Sequence, residues 1–98
     1  MNRIAVLTAE AESDLEDVAR WYQNISPGLG LRLIDQVRAS VSRIEFMPEM
    51  FAKVHGDIRR TRVKRFPYGV FYRVGRDRID VIAIMHNRRH PAAWQNRA

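Results

Sequence analysis

The chain has 98 residues, 46% hydrophobic and 29% charged, a globular composition that supports one domain with one modest core and excludes a second. It has no cysteine, which excludes a disulfide framework and a thiolate metal site, and no apolar run long enough to span a bilayer. Net charge is +6 but uneven: residues 1–52 hold 5 Lys/Arg against 8 Asp/Glu, net −3, while residues 53–98 hold 12 against 3, net +9. A positive field concentrated in one half favours nucleic acid or an acidic protein segment as partner.

Met1-Asn2-Arg3-Ile4 leads straight into a strand-like run rather than a secretory leader, and with the absence of cysteine this sets a cytoplasmic expectation. Ile4 to Leu7 is short, apolar and β-branched, which predicts a buried strand. Thr8 is a good helix N-cap, and Glu10 and Glu12 fall in the first turn, where the helix dipole favours anions. The helix is expected to run to about Asn24, with Ala11, Leu15, Val18, Ala19, Tyr22 and Ile25 as its apolar stripe. Glu10, Glu12, Asp14, Glu16 and Asp17 crowd its early turns, and a solvated helix face accounts for them better than a metal or acid/base site.

Ser26-Pro27 restarts the chain, with serine as cap and proline at the first helical position, where its missing N–H costs nothing. A second helix from about Pro27 to Phe46 carries Leu33, Ile34, Val37, Val41 and Ile44 inward, and so short a link predicts an antiparallel hairpin. Gly28 and Gly30 fit either a close approach or a weakened first turn, and they do not form a phosphate-binding loop. Pro48 stops the helix, and Phe51 to Asp57 reads as irregular or as a brief extended piece, with His55 in a loop.

A three-strand meander follows. From Ile58 the first strand alternates, placing Arg60, Arg62 and Lys64 on one face and Thr61 and Val63 on the other. Tyr68 to Val74 is β-branched and aromatic, with Tyr68, Val70 and Tyr72 on one face and Gly69, Phe71 and Arg73 on the other. Ile79 to Met85 is apolar on both faces apart from Asp80, which predicts an interior strand. His86 to Pro91 leaves as a loop, and Trp94 is placed to dock the tail on the sheet. The expected fold is α+β, in the order β-α-α-β-β-β over residues 1–98. The helical hairpin covers one face of a small, mainly antiparallel sheet, and the other face carries the basic residues.

Several of these segments occur together in a known pattern. They are Ala11-Glu12-Ser13-Asp14-Leu15 with Trp21-Tyr22, then Met47-Pro48, then Arg65-Phe66-Pro67-Tyr68-Gly69-Val70-Phe71-Tyr72-Arg73-Val74. Val81 to Met85, His86-Asn87-Arg88-Arg89-His90-Pro91 and Trp94 complete the set. The chain resembles the RelE/ParE toxin superfamily of type II toxin–antitoxin modules over almost its whole length. The resemblance implies a growth-inhibiting toxin of the plasmid-stabilisation kind, encoded beside an antitoxin that neutralises it. ParE-like members are described as DNA gyrase inhibitors; RelE-like members cut mRNA on the ribosome.

Metal-free RNA cleavage needs a base, an acid and cations for the phosphorane charge. By resemblance Arg62, Lys64 and Arg88 fall where RelE-like nucleases carry functional cations, with His86 beside them. Those nucleases commonly have an arginine where this chain has Gly69, and often a C-terminal tyrosine where the nearest aromatic here is Trp94, whose indole N–H cannot move a proton. A surface that only binds needs no such groups. The preferred expectation is therefore a ParE-like inhibitor with Arg60, Arg62, Lys64, Arg73, Arg88 and Arg89 as its binding cations and no catalytic residue assigned. The alternatives are a ribosome-dependent endonuclease of RelE type and a non-toxic remnant that only binds antitoxin or nucleic acid. His86 and His90 are four apart but flank a strand exit, so no metal site and no cofactor is expected.

Overall fold

The computed structural model describes residues 3–98. Its elements are β1 (Ile4–Leu7), α1 (Ala9–Ile25), α2 (Leu29–Phe46), β2 (Lys53–His55), β3 (Ile58–Arg62), β4 (Tyr68–Val74), β5 (Arg78–His86) and a short α3 (Ala92–Gln95). Met1 and Asn2, expected at the entry to the first strand, lie outside the described residues. One sheet forms in the order β1-β5-β4-β3-β2, antiparallel except for β1, which runs parallel to β5. The architecture is the expected α+β one, with β2 added where a brief extended piece was anticipated. His55 therefore belongs to an edge strand rather than a loop.

Alternation along the strands sorts the side chains into two cores. Val63, Val70, Tyr72, Ile79, Val81 and Ile84 face the hairpin and pack with Ala11, Leu33, Val37 and Ile44. Ile58, Phe71, Ile82, Ala83 and Met85 face the other way and pack with Trp94 of α3. The nine-residue β5 serves both cores, as its unbroken apolar run predicts. Its pairing slips by one residue, from Tyr72 opposite Val81 to Phe71 opposite Ala83, so Ile82 is the extra residue of a bulge.

Thr8 caps α1 as expected, its hydroxyl accepting from the Ala11 N–H at 3.2 Å. The start of α2 differs from the expectation. Its cap is Gly28 at φ 89°, not Ser26, and Pro27 lies before the helix. The substitute comes from across the hairpin: Gln23 Oε1 accepts from both Gly28 N–H and Gly30 N–H at 3.1 Å. Gly30 has no room for a side chain, since a Cβ there would lie 2.4 Å from the Ala19 carbonyl oxygen. The two helices meet at this glycine, which settles the close-approach reading.

β1 is an edge strand, not the buried strand its composition predicts. Ala5 and Leu7 turn to the hairpin, whereas Ile4 is 69% exposed and Val6 is also exposed on the far face. The outer edge of β1 is shielded by Glu45 of α2, whose Oε2 accepts from the Ala5 N–H at 2.8 Å. Ile25, expected in the apolar stripe of α1, is exposed.

Polar groups anchor the hairpin to the sheet. Buried Ser40 donates to the Gln36 and Arg62 carbonyls, and Arg43 donates to Ser40 Oγ and to the same Arg62 carbonyl. The Tyr72 hydroxyl donates to the Pro48 carbonyl at 2.6 Å, and Arg59 donates to the Glu49 and Phe51 carbonyls. The loop after α2 is thus tied to the sheet by two strand residues.

Candidate interaction surface

The face of the sheet away from the hairpin carries Arg60 and Arg62 of β3, paired opposite Phe71 and Gly69. Lys64 does not join them as a strand residue. β3 ends at Arg62, the Val63 N–H closes onto the Tyr68 carbonyl at 2.9 Å, and Lys64 and Arg65 form the turn. Arg65 takes φ 70°, a left-handed conformation that costs a side-chain-bearing residue roughly 1–2 kcal/mol. Lys64 and Arg65 stand exposed at the end of the sheet.

The β5 exit reaches the same end. The Asn87 N–H donates to the Pro67 carbonyl at 2.8 Å, which brings exposed Arg88 and Arg89 beside the β3–β4 turn. Five of the six expected cations therefore gather at one end: Arg60, Arg62, Lys64, Arg88 and Arg89. Arg65 joins them, a residue not singled out from the sequence because the strand was expected to continue through Lys64. Arg73 is separate. It lies on the same face but four residues further along β4 than Gly69, about 13 Å away, beyond the Phe71–Trp94 stack. None of the six expected cations is ion-paired among the described residues.

The far face is not an open cationic wall. α3 crosses it, and Trp94 stacks on Phe71 with ring centroids 4.6 Å apart and planes at 22°. Trp94 is 6% exposed, and His55 meets it edge-on. The wall is divided into a basic end around Arg60 and Arg62 and an opposite end around Arg73, Ile4, Val6 and the Arg78–Asp80 ion pair.

Gly69 explains how Arg60 is held. A Cβ at Gly69 would lie 3.0 Å from Arg60 Cδ and 3.1 Å from Cγ, so the arginine stem occupies the space that a β4 side chain would fill. Its guanidinium carbon lies 5.9 Å from the Phe71 ring centroid, a cation–π distance.

His86 faces the other way. Its ring meets Tyr68 at 5.3 Å on the hairpin side, and its Nδ1 accepts from the Arg88 N–H at 3.0 Å. Arg62, Lys64, Arg88 and His86 thus share one end of the sheet but not one face, and the imidazole is turned from Arg60 and Arg62. Beneath it, Tyr68, Tyr22 and Phe66 form an edge-to-face cluster. Burial pushes both phenols above their ordinary pKa, so neither ionises near neutrality. Tyr68 and Tyr72 belong to the hairpin-side core and Phe71 to the far-side core, as expected of sheet aromatics.

Next to the turn is a pocket of about 280 Å³, lined by Leu29, Arg32, Asp35, Gln36, Arg65 and Phe66. It extends the basic end onto the start of α2. Among the described residues no group of three or more His, Asp or Glu could hold a metal ion, and no helix is long and apolar enough to cross a membrane. The arrangement presents guanidinium and ammonium groups to an anionic surface. It can neutralise charge and orient a partner, while the nearest imidazole of the expected set is directed elsewhere.

Comparison with known proteins agrees with this architecture. A family model described as the ParE toxin of the type II toxin–antitoxin system, parDE, matches residues 5–91. A chain from a chromosomal ParDE toxin–antitoxin system of P. aeruginosa superposes with a TM-score of 0.76 at 19% identity, covering 86% of this chain and 95% of that one. At that identity the likeness speaks for the fold. No curated protein matches the chain.

Proposed function

The chain belongs to the ParE toxin family of type II toxin–antitoxin systems, and on that premise we propose that it inhibits an essential target by binding it and is neutralised by a cognate antitoxin. By family resemblance the target is DNA gyrase, which makes the site of action cytoplasmic. The observation that carries the binding reading is the basic end of the sheet. Arg60, Arg62, Lys64, Arg88 and Arg89 project there without ion-pair partners among the described residues, while His86 is turned to the hairpin side. A cluster of exposed cations speeds encounter with an acidic surface and favours one orientation. It requires no proton transfer, no metal and no cofactor.

One observation favours a second reading, ribosome-dependent mRNA cleavage. The stem of Arg60 fills the space at Gly69, so an arginine from the neighbouring strand occupies the position where RelE-like nucleases carry one on the next strand, with its guanidinium near Phe71. Under that reading Arg62, Lys64, His86 and Arg88 would be the reacting set, and His86 would have to swing off Tyr68 to reach the far face.

Expression of the chain with and without the reading frame beside it tests the module. Growth should stop when the toxin is induced alone and resume when a small DNA-binding antitoxin is supplied. Absence of any neutralising neighbour would contradict the paired-toxin reading. Arg62→Ala combined with Lys64→Ala removes two exposed charges and should relieve growth arrest without loss of fold.

A further inference from the structure

β1 ends at Leu7 because the chain turns into α1 at Thr8, whereas β5 continues to His86. The last five residues of β5 therefore have no strand on their outer side. The Asn87–Pro67 bond fixes which backbone groups face which way. Ladder bonds to β4 run through the alternate pairs Gly69–Met85 and Phe71–Ala83, so Ile84 and His86 direct their backbone groups outward.

Two of these outward groups are met by side chains. Asp14 Oδ2 accepts from the Ile84 N–H at 3.0 Å, and Arg97 Nη1 donates to the Ile82 carbonyl at 3.1 Å. The two side chains also pair with each other through both carboxylate oxygens, at 2.6 and 3.1 Å. This ion pair occupies the edge where β1 would have continued. The His86 carbonyl accepts from the Arg89 N–H. That leaves the Ile84 carbonyl and the His86 N–H, which flank Met85 and have no partner among the described residues. A carbonyl and an N–H two residues apart are the pair that one residue of a parallel strand engages.

The surface beside this gap is apolar. Trp21 and Ile25 lie seven and eleven residues after Asp14, on the same side of α1 by helical periodicity. They are 58% and 57% exposed. Past the gap stand Arg88 and Arg89, exposed and outside any ion pair among the described residues.

We propose that this edge receives an extended acidic segment of the antitoxin as a strand parallel to β5. One residue of that segment donates to the Ile84 carbonyl and accepts from the His86 N–H. An apolar side chain rests on Trp21 and Ile25, and carboxylates face Arg88 and Arg89. Backbone bonds supply the pairing and the flanking side chains the selectivity, as in other strand additions. The two open backbone groups at this strand end are a template for pairing with another chain. The proposal rests on the neutralisation reading above and names the surface it uses.

The test is hydrogen exchange on the full-length toxin alone and in complex with the antitoxin encoded beside it. The His86 amide should exchange at least tenfold more slowly in the complex, while the Ile84 amide, already bonded to Asp14, changes little. Trp21→Ala removes an exposed side chain, so the fold is kept, and it should weaken the complex at least tenfold. A tight complex with an unprotected His86 amide and an indifferent Trp21→Ala would overturn the edge and leave neutralisation standing. No complex at all would overturn both.

Discussion

The two faces of the sheet are covered in opposite ways. The hairpin face lies under two helices of 17 and 18 residues, with buried Ser40, Thr61 and Tyr72 at the seam. The far face lies under a four-residue helix and one tryptophan. The first cover is held by many interlocking side chains. The second depends on one aromatic stack and on the Arg97–Asp14 pair that ties the tail to α1. Global stability should therefore reside on the hairpin side, while the far face, which carries Arg60 and Arg62, is the part that can open locally.

The sharpest way to break this comparison is a pair of truncations. Leu33→Ala empties a fully buried site and is expected to cost about 3 kcal/mol, read as a lower denaturation midpoint at unchanged slope. Trp94→Ala removes a larger side chain yet should cost less globally, because α3 can lift without unfolding the hairpin core. Its signature should be faster amide exchange in α3. Equal losses from the two variants would show that the far face is as integral as the near one.

A smaller effect is expected at the tie between tail and hairpin. Asp14→Ala leaves the Ile84 N–H without its acceptor and the Arg97 guanidinium with only the Ile82 carbonyl, at a cost of about 1–3 kcal/mol. Asp14→Asn keeps one acceptor and should recover part of the loss. Thermal unfolding of the two variants side by side checks the order.

Arg65→Gly is expected to stabilise the fold by about 1 kcal/mol, since glycine adopts φ 70° without the steric penalty. The same change should weaken target inhibition if Arg65 belongs to the basic end. A variant that is more stable and less active would separate strain from function at this turn.

The last effect appears only at high pH. Burial holds the Tyr72 phenol up at about 12 against an ordinary value of 10.0, and the nearby Arg59 charge opposes the rise. The unfolded chain gives up this proton first. The contribution is therefore complete below pH 10 and is lost as pH rises from 10 towards 12. Tyr72→Phe should flatten that part of the stability profile and lower stability below it, through loss of the bond to Pro48.

Much of this architecture was legible in residue types. The Thr8 cap, the alternation of Tyr68, Val70 and Tyr72 against Gly69, Phe71 and Arg73, and the docking of Trp94 all follow from local rules. The misreadings have different causes, none of them visible in residue type alone. Gly28 caps α2 because Gln23 reaches across the hairpin. Asp14 looks like one acid among five, and its role depends on Arg97, 83 residues later. Ile4 and Val6 read as buried because four apolar residues carry no mark of a sheet edge. Lys64 leaves the strand alternation because Arg65 takes a conformation that its residue type disfavours. For the basic end, the charge excess of residues 53–98 was visible, but the gathering of Arg62 with Arg88 and Arg89 required the Asn87–Pro67 pairing.

The central claim is that the basic end binds a target and does no chemistry on it. The direct measurement adds purified toxin to one reaction containing DNA gyrase with plasmid and to another containing programmed ribosomes. The account predicts loss of gyrase supercoiling with intact mRNA, and restored supercoiling with Arg62→Ala plus Lys64→Ala. Cleaved mRNA with undisturbed gyrase would contradict it.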